Sequence, residues 1–218
     1  MPAAPSQKVV IYGTRGHARG LHQVIEDLAA AGADIRCLGF LVDKDFREES
    51  VIHDLPVLGD AGWLGGAPDV LVTIGIGATK PRHRIANDIE RRFGPRFATL
   101  QHPRAWVGKR VTIGPGSNVC AGAAVTTEVT IGRHVQLLVN CTVEHDSVIG
   151  DFVTVAPGAN VLGRVTVGEG TFVGAGATIL TDVKVGAWVM VGAGAVVTKD
   201  VPDGVTVVGV PARIVAPK

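Results

Sequence analysis

The chain has 218 residues and a formal net charge of +1, a balance that offers no electrostatic basis for binding nucleic acid or an anionic membrane. Its apolar runs are too short to span a bilayer, and residues 1–8 lack the apolar centre of a signal peptide. Cys37, Cys120 and Cys141 have no CxxC spacing, so we predict a reduced, cytoplasmic protein without disulfides or a zinc knuckle, and Cys141 as a small core residue.

The first part of the chain predicts a small α/β domain. Residues 8–12 are an apolar strand, residues 13–17 a turn, and residues 18–31 carry apolar side chains at helical spacing. A second strand at 36–42 ends at Asp43. A third apolar run at 69–76 includes Gly75 and precedes a charged amphipathic helix around 81–93. This order predicts a small parallel sheet of Rossmann type, with residues 94–106 as a connector.

The first turn leaves two interpretations open. Gly13, Gly16 and Gly20 do not form the GxGxxG signature, because Arg15 stands where the second glycine would be. The helix start could still present backbone N–H groups to a phosphate, with Arg15 adding a charge. Alternatively, it is a tight strand–helix turn that binds nothing.

The second part of the chain has a period of six. An aliphatic residue recurs at every sixth position, sixteen times from Val107 to Val197, and the residue four positions later is small or Val. This period fits neither an α-helix nor a single strand, and it predicts a parallel β-helix with three flat sides per coil. Sixteen sides make just over five coils, a prism roughly 25 Å long. We therefore expect domains at 1–106 and 107–218.

The repeat pattern [LIV]-G-x-x-[STAV]-x over residues 107–215 resembles the hexapeptide repeat of acyltransferases. The general rule for crossovers would favour right-handed coils, whereas the resemblance implies a left-handed β-helix. It also implies a homotrimer with acyl-CoA between adjacent prisms.

A longer series of motifs resembles one family nearly end to end. YG-x-x-GHA, GF-x-x-D, IG, VEHD-x-VIGD and VVG-x-PAR follow one another as in bacterial sugar acyltransferases, which include N-acetyltransferases of nucleotide-linked 4-amino sugars and relatives linked to sialic acid. The resemblance implies that the N-terminal domain binds a nucleotide sugar through Arg15, Gly16, His17, Asp43 and Gly75. It implies acyl-CoA contacts at Thr154, Ala175 and Ala193, with Thr154 replacing the family's histidine. Residues 202–212 resemble the closing segment near the adenine of CoA.

Seven histidines are candidates for catalysis. We expect His22, His53 and His83 to be surface residues, and His134 lies at a repeat turn without an acidic neighbour. His145 projects outward from a turn between Glu144 and Asp146, and a carboxylate beside an outward imidazole can orient it and stabilise its protonated form. A solvated turn histidine is the alternative. The EHD-x-VIG resemblance implies that His145 is the catalytic base and Asp146 its partner.

These observations predict an acetyl-CoA-dependent N-acetyltransferase that acts on an amino sugar linked to a nucleoside diphosphate, by direct transfer and without a metal. O-acetylation of a sialic-acid-like sugar is the alternative within the same class. A zinc enzyme of the γ-carbonic-anhydrase type would need a close cluster of three histidines, but the prism has only His134 and His145, eleven residues apart. A non-catalytic binding prism would leave the EHD turn without a role.

Overall fold

The computed structural model describes residues 7–215. Most of the segment considered for a signal peptide lies outside this range. The N-terminal domain contains β1 (Gln7–Tyr12), α1 (Gly16–Ala30), β2 (Ile35–Leu41), β3 (Val51–Ile52), β4 (Leu55–Gly59), β5 (Leu71–Ile74) and α2 (Thr79–Phe93). Short 3-10 helices at Lys44–Phe46 and Ala61–Gly66 complete it.

The N-terminal sheet has the order β3-β4-β2-β1-β5. Strands β2, β1 and β5 pair in parallel as predicted, and β4 extends the parallel sheet beside β2. Strand β3 pairs antiparallel with β4 in a short hairpin that the sequence analysis did not predict. The hairpin turn holds His53 and Asp54 at positive φ, and neither residue belongs to the glycine or proline classes that mark turns most strongly. The carboxyl ends of the parallel strands meet at one edge, where ligands bind in such sheets.

The second domain is a triangular prism of two-residue strands whose partners lie 18 residues apart, so three six-residue sides make one coil. We name its flat sides faces A, B and C. Face A contains β7 (Trp106–Val107), β10 (Ala124–Val125), β13 (Thr142–Val143), β16 (Asn160–Val161), β19 (Thr178–Ile179) and β22 (Val196–Val197). Face B contains β8 (Thr112–Ile113), β11 (Thr130–Ile131), β14 (Val148–Ile149), β17 (Thr166–Val167) and β20 (Lys184–Val185). Face C contains β6 (Leu100–Gln101), β9 (Asn118–Val119), β12 (Gln136–Leu137), β15 (Thr154–Val155), β18 (Phe172–Val173), β21 (Met190–Val191), β23 (Thr206–Val208) and β24 (Arg213–Val215).

The repeat residues fill the prism. Fourteen of the sixteen aliphatic positions are buried, and Val107 and Ile113 are only partly buried because they lie in the first coil. Cys141 is confirmed as a core residue. The hydroxyls at the inward positions Ser117, Ser147 and Thr171 are paired, as when Ser147 donates to the carbonyl of Leu162 at 3.0 Å. Pairing removes the cost of burying a polar group, so small polar residues are tolerated at inward positions.

The prism sheet begins before the expected domain division. Leu100–Gln101 lies in the segment predicted as connector, and it pairs with β9 on face C. Leu100 also packs into the core of the N-terminal domain, so this strand contributes to both domains. The division at residue 107 stays a proposal.

The N-terminal domain packs on face C and on the edge between faces B and C. At this BC edge the rings of His134 and Phe152 stack at 4.9 Å, and His83 of α2 lies between Phe152 and Trp188. His134 is therefore a buried residue between the two domains. Its position at a repeat turn without an acidic neighbour did not predict this burial. The expectation that His22 is a surface residue is wrong, because it is buried on the inner side of α1.

Candidate active site

His145 and Asp146 form an outward pair on the edge between faces A and B. Nδ1 of His145 lies 2.7 Å from Oδ2 of Asp146, and both side chains are about half exposed. A carboxylate accepts hydrogen bonds, so Nδ1 carries the proton and Nε2 keeps its lone pair. Asp146 thus orients the imidazole, and Nε2 makes no hydrogen bond among the described residues.

A glycine in the next coil makes room for the imidazole. A Cβ built on Gly163 would lie 2.7 Å from both Cε1 and Nε2 of His145, so any side chain there would displace the ring. Gly163 and His145 are 18 residues apart and therefore occupy the same position in successive coils. The sequence contained this signal, but it was not recognised.

Asp146 differs from the acidic residues at the same position in other coils. Glu128, one coil before it, pairs with Arg110, and Asp182, two coils after it, pairs with Arg164. Among the described residues, the recorded side-chain partner of Asp146 is His145. The carboxylate is therefore free to orient the imidazole.

In the N-terminal domain, Asp43 follows β2 at the carboxyl edge of the sheet. The hydroxyl of Tyr12 donates to Oδ1 of Asp43 at 2.5 Å. Burial and this hydrogen bond raise the pKa of Tyr12, so the phenol stays protonated and holds the carboxylate in place. Tyr12 and Asp43 line a cavity of about 360 Å³ with Asp60, Arg84 and Arg92. The cavity is thus lined by side chains of both charge signs.

The first turn and the loop after β5 touch each other. A Cβ on Gly75 would lie 2.5 Å from Cα of Ala18, so glycine is required for the loop to approach α1 this closely. Arg15 is exposed and pairs with Glu48 at 2.9 Å, and Gly16 begins α1. His17 points to the prism, where its Nε2 donates to Oε1 of Gln136 at 3.0 Å. Burial lowers the pKa of His17, so its imidazole is neutral at pH 7.

Thr154 lies where the N-terminal domain meets face C. Its side chain is fully buried, and the hydroxyl donates to the carbonyl of Gly77 at 3.0 Å. The same oxygen accepts from Nη2 of Arg82 at 2.9 Å. A direct contact with acyl-CoA, which the resemblance implied, would require the two domains to separate here. Gln136 and Arg82 were not predicted as part of this region, since neither carries a motif.

Ala175 and Ala193 lie on the third edge of the prism, between faces C and A. Both are exposed in consecutive coils, and the N–H of Gly194 donates to the carbonyl of Ala175 at 2.9 Å. A Cβ on Gly176 or Gly194 would meet open space. This edge therefore offers exposed backbone beside small side chains.

A single chain does not bring the predicted catalytic, CoA-binding and sugar-binding residues together. His145 lies on the AB edge, Ala175 and Ala193 lie on the CA edge, and the turns of the N-terminal domain lie against face C. The outward side of face A separates the first two edges. The predicted site residues therefore lie on different sides of a single chain's prism.

Two negative findings apply to residues 7–215. No helix in that range is both long and apolar enough to cross a membrane. No group of three or more His, Cys, Asp and Glu side chains there is arranged to hold a metal ion.

Family models match both domains. The model of the PglD N-terminal domain matches residues 8–89, and the bacterial transferase hexapeptide model matches residues 164–199. The acetyltransferase domain of PglB from Neisseria gonorrhoeae is 32% identical, with a TM-score of 0.85 over 96% of this chain and 100% of its own. The chain belongs to the hexapeptide-repeat sugar acyltransferases. It is therefore an acyltransferase, and its prism is the left-handed β-helix that the resemblance implied.

Other solved structures extend the comparison. A mutant of perosamine N-acetyltransferase from Caulobacter crescentus, in complex with CoA and GDP-perosamine, is 30% identical over 98% of this chain and 99% of its own, with a TM-score of 0.85. WeeI from Acinetobacter baumannii is 30% identical over 96% of this chain and 100% of its own, with a TM-score of 0.84. No curated protein matches the chain. The predicted resemblance to sugar acyltransferases and the predicted fold class are confirmed.

Proposed function

We propose that the enzyme transfers the acetyl group of acetyl-CoA to the amine of a 4-amino-4,6-dideoxy sugar linked to a nucleoside diphosphate. The observation that carries this proposal is the His145–Asp146 pair, with Nδ1 held at 2.7 Å and Nε2 free. The Neisseria domain has been solved with acetyl-CoA, and the Caulobacter enzyme with CoA and GDP-perosamine. Both relatives align with this chain from end to end, which supports the same pair of substrates.

The chemistry requires little beyond positioning and one base. The thioester is already activated, so the sugar amine attacks its carbonyl carbon while Nε2 of His145 removes the amine proton. The tetrahedral intermediate collapses as the C–S bond breaks, and the thiolate of CoA leaves and is protonated. Asp146 stabilises the imidazolium that exists between these steps. A backbone N–H of a neighbouring turn stabilises the oxyanion.

We further propose that three copies complete the site, with face A towards a threefold axis. Its outward row is uncharged and carries mostly small side chains: Trp106, Ala124, Thr142, Asn160, Thr178 and Val196. Face B is exposed along its outward row and carries Lys184, and the N-terminal domain covers face C at Asn118, Gln136 and Thr154. This arrangement brings the AB edge of one subunit beside the CA edge of the next.

The height of His145 along the prism axis, compared with that of the N-terminal turns, supports this assembly. His145 falls in the chain between Gln136 and Thr154, the two face C residues that contact the N-terminal turns. In the trimer, His145 of one subunit therefore faces the sugar-binding turns of its neighbour at the same height. Acyl-CoA would lie between the two edges, along Ala175 and Ala193, with residues 202–212 towards its adenine end.

The acceptor distinguishes this proposal from O-acetylation of a sialic-acid-like sugar. Purified enzyme is given acetyl-CoA with GDP-perosamine, with UDP-linked 4-amino-4,6-dideoxy sugars, or with matched sugars bearing a hydroxyl in place of the amine. We expect release of free CoA thiol with the amino sugars and a mass increase of one acetyl group on nitrogen. Turnover of hydroxyl acceptors alone would contradict the proposal.

A further inference from the structure

Arg82 is a fully buried cation without a carboxylate partner among the described residues. Its acceptors are neutral oxygens from two domains. Nη1 donates to the carbonyls of Ile76 at 2.9 Å and Gly77 at 2.8 Å, in the loop that follows β5. Nε donates to the carbonyl of His134 at 3.0 Å. Nη2 donates to the carbonyl of Phe152 at 2.6 Å and to Oγ1 of Thr154 at 2.9 Å.

Burying the charged guanidinium of Arg82 costs free energy that a residue serving only to fill this space would not need to spend. Burial lowers the pKa of Arg82 to about 9, and an apolar side chain of similar volume would fill the same space without that penalty. A guanidinium supplies five N–H donors in a rigid plane, so it fixes the acceptors around it relative to one another. Here the acceptors are the loop that follows β5 and two coils of the prism. Arg82 therefore sets the position of that loop on the prism.

Two face C side chains reinforce the same contact. Thr154 donates to the carbonyl of Gly77 at 3.0 Å while it accepts from Arg82. Gln136 accepts from His17 at 3.0 Å, and its Nε2 donates to the carbonyl of Ile74 at 3.3 Å. Gln136 and Thr154 are 18 residues apart and so occupy the same outward position in successive coils. Both loops predicted to bind the nucleotide sugar are thus held by the prism.

We propose that Arg82, Gln136 and Thr154 are positioning residues of the nucleotide-sugar site. They hold the first turn and the Gly75–Gly77 loop so that a bound sugar presents its amine to His145 of the neighbouring subunit. A misplacement of about 1 Å can cost a reaction on the order of 10²-fold, so the contact affects catalysis without touching the substrate. The inference rests on the proposed function, and it assigns Thr154 to the sugar side of the reaction.

Thr154 offers the sharpest test. Thr154→Val keeps the shape of the side chain and removes both hydrogen bonds, whereas Thr154→Ser keeps the hydroxyl. With acetyl-CoA and GDP-perosamine, or whichever nucleotide 4-amino sugar the wild-type enzyme turns over best, Thr154→Val should raise KM for the sugar about tenfold and Thr154→Ser should stay near wild type. KM for acetyl-CoA should change by less than about twofold in both.

Arg82→Met removes all the bonds of the guanidinium, and Arg91→Met is its matched control on the exposed side of the same helix. Arg82→Met should raise KM for the nucleotide sugar by on the order of 10²-fold, and Arg91→Met should leave it unchanged. If Arg82→Met does not fold, the comparison of Thr154→Val with Thr154→Ser tests the inference by itself.

Three results would overturn the inference. A rise in KM for acetyl-CoA in Thr154→Val would show a direct role at the CoA site. A lower Tm with kcat and both KM values unchanged would show that the contact only supports the fold. Asp43→Ala separates this failure from failure of the proposed function. If Asp43→Ala raises KM for the sugar while Thr154→Val does not, only the positioning role is wrong.

Discussion

At the scale of single residues, the proposed chemistry depends on Nε2 of His145. His145→Asn keeps a similar shape and hydrogen-bonding capacity but removes the base, so steady-state assays should show kcat lowered by about 10²–10⁴-fold. Asp146→Asn should lower kcat by a smaller factor, because the imidazole of His145 remains and only its orientation is lost. His53→Asn is the matched control, since His53 is exposed and its positive φ suits asparagine. Near-normal turnover in His145→Asn would remove His145 as the base.

Gly163 tests whether the position of the imidazole matters as well as its presence. Gly163→Ala places a methyl group 2.7 Å from Nε2, so the ring must turn away from its present position. We expect kcat to fall by about tenfold or more, with a small change in Tm, because His145 is half exposed and can move into solvent. An unchanged kcat would show that the base tolerates a different ring position.

At the scale of elements, the stack on the BC edge couples stability to pH. Burial, with the charges of Arg133 and Arg82, lowers the pKa of His134 to about 4, and burial also lowers the pKa of His17 and of His22. In the unfolded chain these histidines become protonated near pH 6.5, whereas in the folded protein they stay neutral to a lower pH. Their contribution to the free energy of unfolding is therefore fully present above pH 6.5 and is lost as the pH falls from 6.5 towards 4. The pKa shift of His134 alone corresponds to a loss of on the order of 3 kcal/mol in the free energy of unfolding over this pH range.

His134→Phe should flatten this dependence. The phenyl ring preserves the stacking with Phe152 and removes Nδ1, which has no hydrogen-bond partner in the described structure. Urea unfolding at pH 7.5, 6 and 5 should show a smaller loss of the free energy of unfolding than in wild type. The pH slope is the readout, because a packing change from the larger ring shifts the free energy of unfolding equally at every pH. An unchanged slope would assign the effect to other groups.

The carboxyl edge of the N-terminal sheet carries the prediction for Asp43. If its carboxylate contacts the nucleotide sugar, Asp43→Ala should raise KM for that substrate by about tenfold or more and leave KM for acetyl-CoA nearly unchanged. Initial-rate measurements with each substrate varied in turn separate the two constants. A selective effect on acetyl-CoA would mean that the domain has been assigned to the wrong substrate.

The sequence predicted the prism in detail because each coil repeats one local rule, an inward aliphatic residue every sixth position. It predicted both helices and the parallel strands β1, β2 and β5 of the first domain within a few residues. It did not predict the β3–β4 hairpin, which lacks strong turn residues, or the burial of His22 and His134. Arg82 was missed because its role depends on carbonyls that lie 52 and 70 residues further along the chain. Contacts of that kind leave no periodic signal.

At the scale of the whole molecule, the account requires a trimer. Three 22.6-kDa chains should give a mass of about 68 kDa in light scattering at micromolar concentration. Thr178→Arg, which places a charge in the outward row of face A, should yield inactive monomers. An active monomer would contradict the assembly, because His145 and the nucleotide-sugar turns of one chain lie on different sides of its prism.

Complementation between two variants tests the central claim most directly. His145→Asn and Asp43→Ala subunits are co-expressed with different tags, and mixed trimers are isolated through both tags and assayed at a low concentration of nucleotide sugar. If each site combines His145 of one subunit with the N-terminal domain of its neighbour, every mixed trimer keeps one intact site, about a third of its sites. The account therefore predicts mixed trimers clearly more active than either parent. Activity no higher than the average of the two parents would contradict it.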